Sequence, residues 1–127
     1  ELFHWFMTQS GSISGYTRAI WSGVTTLELA KVVKWSIDNN ITGLYHITNN
    51  SSISKNNLLE LFKKHTKKDI EIIPVGGSSI DKSFVDTRKL MNYKIPSYDK
   101  MIANMIDLIS RNGTLYSQYH VIKDGQQ

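Results

Sequence analysis

Three helix starts are written into this chain, and their spacing limits what it can fold into. Thr25, Ser54 and Ser97 each precede a stretch with apolar residues at helical intervals. At that position a side-chain oxygen accepts a hydrogen bond from a free N–H of the first turn. Glu28, three residues after Thr25, completes a capping-box pattern. The first of these helices runs through Leu27, Ala30, Val33 and Trp35 to Ile37 and stops at Asp38-Asn39-Asn40. The second carries Leu58, Leu61, Phe62 and His65 at helical spacing. The third shows Ile102, Met105, Ile106 and Ile109 and ends near Asn112-Gly113, where a helix can close on a glycine.

Short β-type runs alternate with these helices. Residues 13–20 read as extended, with Gly15 marking a bulge or a close backbone approach. Gly43 to Thr48 is a second run, closed by a cluster of Asn and Ser that includes Asn49 and Asn50. Ile70 to Val75 is the clearest strand, and Pro74 puts its end at a sheet edge or exit. Leu2 to Met7 reads as a short opening helix ended by Ser10-Gly11-Ser12, Gly76 to Asp81 as a flexible polar loop, and Asp86 to Leu90 as a helical turn before Pro96. The order α-β-α-β-α-β-α predicts a mixed α/β fold, a small sheet of about three short strands with about four helices. The chain reads as one domain over residues 1–115, followed by a polar tail, 116–127, composed to be disordered.

At 127 residues and 40% hydrophobic the chain can bury a core and is too apolar for a disordered segment. Without cysteine it can have no disulfide, thiolate metal site or cysteine nucleophile, which fits a reducing cytoplasm. No apolar run approaches a membrane span. The opening ELFHWFM lacks an initiating Met and begins inside a hydrophobic helix, so the chain reads as a piece of a longer protein. The net charge of +4 comes largely from Lys63, Lys64, Lys67 and Lys68. That cluster reads as a solvated helix end, where cations suit the dipole. The alternative is a stand-alone interaction domain that meets an acidic partner or nucleic acid through Lys63–Lys68.

Familiar catalytic spellings are missing. His4, His46, His65 and His120 are scattered, with no metal-ligand spacing. His46 reads as a buried or half-buried strand residue and His65 as a cation at a helix end. Gly76-Gly77-Ser78-Ser79 follows a strand but lacks the third glycine and the helix start of a dinucleotide loop. Tyr119 and Lys123 match Tyr-x-x-x-Lys, yet they stand in the tail without a supporting strand and helix, and read as chance. What remains is polar and aromatic residues at element ends: Arg18, Trp21, Ser22 and Thr25 around the first loop, and Ser79, Asp81, Lys82, Ser83 and Arg88 after the edge strand. Arg and Lys suit phosphate, and Trp suits a base or sugar face. The plainer reading is a core Trp21, a surface pair for Arg18, and a capped turn over Asp81–Arg88.

Four stretches carry a resemblance. Gly23–Ala30 spells G-x-T-x-x-E-L-A, Gly43–Ile47 spells G-x-Y-H followed by an apolar residue, Ser54–Leu59 spells S-K-x-x-L-L, and Asp81–Leu90 is DKSFVDTRKL. In this order and spacing they resemble the C-terminal half of the extended short-chain dehydrogenases/reductases acting on nucleotide sugars, nearest to the dTDP-4-dehydrorhamnose reductase group. The resemblance reaches to about Arg111. It implies a substrate-binding portion of an extended Rossmann-type reductase whose N-terminal half holds NADP or NAD and the catalytic Ser/Thr, Tyr and Lys. In the complete enzyme hydride passes to a keto carbon while that Tyr protonates the oxygen. The present residues then carry no cofactor, no metal and no catalytic group. The resemblance places Leu2 and Phe3 near the base, Arg18, Trp21 and Ser22 near the sugar or diphosphate, and Asp81, Lys82, Ser83 and Arg88 along a second wall. Its family has Asn-Ser or Arg-Ser where this chain has Asp81-Lys82-Ser83, so which sugar and nucleotide are taken stays open. The implied partners are a nucleotide-sugar substrate, the missing Rossmann half, and a second copy of the chain on surface that half leaves uncovered.

Overall fold

The computed structural model describes residues 1–86 and 92–119. In chain order the elements are α1 (Leu2–Thr8), β1 (Ser12–Tyr16), β2 (Ala19–Trp21), α2 (Thr26–Asp38), β3 (Ile53–Ser54), α3 (Lys55–Thr66), β4 (Glu71–Val75), β5 (Ile80–Lys82) and α4 (Tyr98–Arg111). The mixed α/β class and the small sheets stand as read from the sequence, with four helices and five short strands among the described residues.

All three helix starts are made as spelled. Thr25 accepts from the Glu28 N–H (3.2 Å), Ser54 from the Asn57 N–H (3.1 Å) and Ser97 from the Lys100 N–H (3.3 Å). The capping box, however, is only half made. The Glu28 carboxylate is buried and accepts the Tyr93 hydroxyl at 2.8 Å instead of reaching back to the helix start.

The strands form two parallel ladders laid end to end. β1 pairs with β4 from Ser12↔Glu71 to Tyr16↔Val75, and β2 pairs with β5 from Ala19↔Ile80 to Trp21↔Lys82. Between them two residues, 17 and 18, face four, 76–79, so the second strand bends outward before it rejoins. Thr17 N–H to Val75 O (2.9 Å) and Ile80 N–H to Arg18 O (3.1 Å) hold the two ends of that bend. Gly77 lies in it at φ +57°, against the Tyr16 ring, where a Cβ would come within 2.8 Å. Residues 76–79 thus form the expected loop, while Ile80 and Asp81, read with it, belong to β5. β3 joins the other side of β2, antiparallel, through Ile20↔Ser54 and Trp21↔Ile53.

The core lies between the β1–β4 pair and helices α1, α3 and α4. Phe6, Ile13, Leu59, Phe62, Ile70, Ile72 and Ile102, Ile106 and Ile109 form one buried cluster. The chain approaches itself closely at Gly15, where an added Cβ would stand 2.2 Å from Asn56 Oδ1 on α3 and 2.8 Å from Ile72. That is the close approach its sequence position suggested. Beyond α4, Tyr116 and Tyr119 pack against the core, and residues 120–127, with His120 and Lys123, lie outside the described residues.

One strand expectation fails. Gly43–Thr48 forms no strand, and Leu44 is 70% exposed. A strand exists through its ladder, and no described strand runs beside this segment. His46 is correspondingly exposed, not buried or half-buried in a sheet. The expected turn at Asp86–Leu90 lies outside the described residues from Thr87 onward.

Candidate functional site

The β2–β5 pairing brings together the two loops that the sequence separates by sixty positions. Trp21 stands opposite Lys82 and Ile20 opposite Asp81 in this ladder, and Arg18 precedes β2 by one residue. The Trp21 ring is 38% exposed and lies 6.3 Å from the Tyr98 ring at the start of α4, so it is a surface platform and not core. Tyr98 is fixed by donating its hydroxyl to Ser51 O (2.7 Å), and burial pushes its phenol up. A half-exposed indole paired across the ladder with a lysine can stack on a ring while the amine meets an anion, and Arg18 lies at the other end of β2.

Ser22 is 1% exposed and its hydroxyl is turned to Phe84. It accepts the Phe84 N–H at 2.7 Å and donates to Phe84 O at 3.0 Å. Asp81 is turned toward Ser83, whose N–H (2.8 Å) and hydroxyl (2.6 Å) both donate to Oδ1. Those bonds hold the Asp81 carboxyl below the usual carboxylate range, the hydroxyl first and the backbone second. Of the residues singled out from sequence, Arg18, Trp21, Ser22, Asp81, Lys82 and Ser83 lie on or next to the β2–β5 ladder. Leu2 and Phe3 sit on α1 against the core, where Phe3 meets Phe62 (5.2 Å) and Tyr119 (5.3 Å) edge-on. Arg88 lies outside the described residues.

A cleft of about 350 Å³ opens beside this ladder, between residues 46–50 and Asp86 with residues 93–95. Its walls are stitched together. Asn50 Oδ1 accepts the Asp86 N–H (2.7 Å), Thr48 Oγ1 accepts the Asn50 N–H (3.3 Å), and Asn49 donates to Pro96 O (3.1 Å). At its mouth the His46 ring lies 5.1 Å from the half-exposed Phe84 ring, with Nδ1 3.3 Å from Val85 O. Behind it, Tyr93 is anchored on Glu28 and packs edge-on against Trp35 (5.6 Å). Burial, then the hydrogen bond to Glu28, pushes the Tyr93 phenol up to about 12. Sequence reading passed over Phe84 and Tyr93, and took His46 for a strand residue. The Gly-x-Tyr-His spelling was the only local pointer to this wall.

Elsewhere, Lys64 (2.6 Å) and His65 (3.0 Å) both meet Asp99 Oδ1, and Lys68 donates to Met7 O (2.9 Å). Lys64 and Lys68 of the cluster are thus tied to their own chain. Lys64 and then His65 hold the Asp99 carboxyl below its ordinary range. No group of three or more His, Asp or Glu among the described residues could hold a metal ion, and no described helix is long and apolar enough to cross a membrane.

The fold is similar to that of part of several solved structures. Solved structures with this fold include the dTDP-4-dehydrorhamnose reductase of Bacillus anthracis in complex with NADP (TM-score 0.69, 16% identity, 84% of this chain). The ortholog from Clostridium acetobutylicum matches at TM-score 0.66 and 18% identity over 86% of this chain. The GDP-mannoheptose C4 reductase of Campylobacter jejuni with NADP bound matches at TM-score 0.56 and 16% identity, also over 86%. The chain spans 41–42% of the length of these three proteins. No protein-family model and no curated protein matches the sequence.

Proposed function

We propose that this chain is the nucleotide-sugar-binding part of an NAD(P)-dependent, cytoplasmic reductase of 4-keto-6-deoxy nucleotide sugars, similar to dTDP-4-dehydrorhamnose reductase. The observation that carries the reading is the β2–β5 ladder, which pairs Trp21 with Lys82. It supplies an aromatic face for a sugar and a cation for a phosphate, on a fold shared with solved reductases of dTDP- and GDP-linked sugars.

The residues described do not suit a dinucleotide. Gly76–Ser79 leads from β4 into strand β5, not into a helix N-terminus that could face a pyrophosphate. Cofactor binding and the catalytic Tyr and Lys belong, on this reading, to a Rossmann half outside these residues, and the chain by itself is silent. Two measurements test this. A dTDP-4-keto-6-deoxy sugar should raise the melting temperature of the chain, and Trp21→Ala with Lys82→Ala should remove that rise. NADPH oxidation in the presence of that sugar should stay at background; turnover by these residues alone overturns the assignment of catalysis elsewhere.

A further inference from the structure

We propose that the cleft beside His46 is the nucleoside subsite, with a nucleobase stacked against the His46–Phe84 pair and its edge or ribose met by Asn50 and Lys94. This rests on the nucleotide-sugar reading above and adds to it which residues read the nucleotide.

The first support is how Phe84 is held. A ring that is 52% exposed gains little from burial, yet its backbone is fixed on both its N–H and C=O by the buried Ser22 hydroxyl. One hydroxyl thus clamps both backbone polar groups of the residue that carries the exposed ring. Phe84 in turn backs the His46 ring, so the two present a pre-set aromatic wall. Such a wall binds a planar ring at low ordering cost.

The second support is the cleft's chemistry. Its volume of about 350 Å³ lies at the small end of the range for organic ligands. Asn50 and Lys94 line it together with Thr48 and Asp86, giving donors and acceptors in close proximity, as a base edge and ribose hydroxyls require. Its position also suits the Proposed function. Phe84 follows Lys82 by two residues, so a phosphate held at Lys82 lies next along the chain to this wall. Phe3, the other aromatic considered for the base, already has its ring engaged by Phe62 and Tyr119.

Calorimetric titration of the intact protein with thymidine 5′-diphosphate and guanosine 5′-diphosphate tests the proposal. Phe84→Ala and His46→Ala should each weaken the better-bound of the two by about tenfold or more, the size of a lost base stack. The loss should be equal for the free diphosphate and its sugar conjugate, whereas Trp21→Ala should weaken only the conjugate. If Phe84→Ala fails to fold, the wild-type His46 ring protons must still shift upfield on nucleotide addition. Nucleotide binding that neither variant weakens, or unshifted His46 protons at saturation, overturns the subsite and leaves the nucleotide-sugar reading standing. No binding of either the nucleotides or the nucleotide sugar overturns both.

Discussion

Ser22 shows how a residue chosen for one chemistry can be used for another. Its hydroxyl is buried and turned to Phe84, to which it donates one hydrogen bond and from which it accepts another. Ser22→Ala would leave the Phe84 N–H with no partner in a part-buried place, at a cost of about 1–3 kcal/mol. Urea unfolding should show that loss, while Ser83→Ala at the exposed Asp81 turn should stay within about 0.5 kcal/mol. Equal effects from the two would mean that the Ser22 clamp is not a structural one. Tyr93 gives a pH signature of its own. Its phenol is raised from the ordinary 10.0 to about 12, so the folded state favours the neutral form. A raised acid adds stability that is whole below pH 10 and is lost as the pH climbs through about 12. Wild type should therefore exceed Tyr93→Phe in melting temperature near neutrality, and the gap should close between pH 10 and 12. A gap that stays constant across that window would contradict the Glu28 bond.

Elements were legible wherever their signal is local. The caps at Thr25, Ser54 and Ser97 are spelled within three residues of the bonds they make, and all three form. The Ile70–Val75 strand was legible for a similar reason, a compact β-branched run with Pro74 where its edge lies. Gly43–Thr48 was misread because its alternation describes a strand but says nothing of a neighbour to pair with. Ile80–Lys82 was missed for the converse reason: the partner that makes it a strand, Ala19–Trp21, lies far away in sequence. The candidate site follows the same rule. Trp21 and Lys82 could be named as ligand groups from residue type, but that they face each other, and that Phe84 meets His46, are long-range facts. Gly15 is the element-scale case where sequence and packing agree. Gly15→Ala would drive a methyl to 2.2 Å from Asn56 Oδ1 and 2.8 Å from Ile72, so these side chains or the elements that carry them must shift. Overpacking of this kind costs about 1–3 kcal/mol. Thermal melts should show that loss, and Gly113→Ala, which meets nothing within 4 Å, should show far less; comparable melts for the two would remove the close approach from the account.

At the scale of the molecule, the buried cluster sits on the first ladder. Leu59 and Phe62 on α3 meet Ile13 and Ile72 of β1 and β4, and Ile102, Ile106 and Ile109 close the cluster from α4. The second ladder has no comparable cluster of its own: β5 is exposed along its length and β2 is at best half-buried. It is held by the turn at Thr17–Arg18 and by α3, whose N-cap Ser54 is also a partner of Ile20. The site edge is therefore as stable as the core next to it and no more. Leu59 is fully buried, and Leu59→Ala should cost about 2–5 kcal/mol, a large part of the 5–15 kcal/mol that holds a domain of this kind. The tryptophans report three places, Trp5 on α1, Trp21 on β2 and Trp35 on α2. If the two ladders share one core, tryptophan fluorescence and far-ultraviolet circular dichroism should melt together, and Leu59→Ala should lower both midpoints equally. A fluorescence transition that precedes the loss of helix, or that Leu59→Ala leaves in place, would show that the Trp21 edge is a separate cooperative unit.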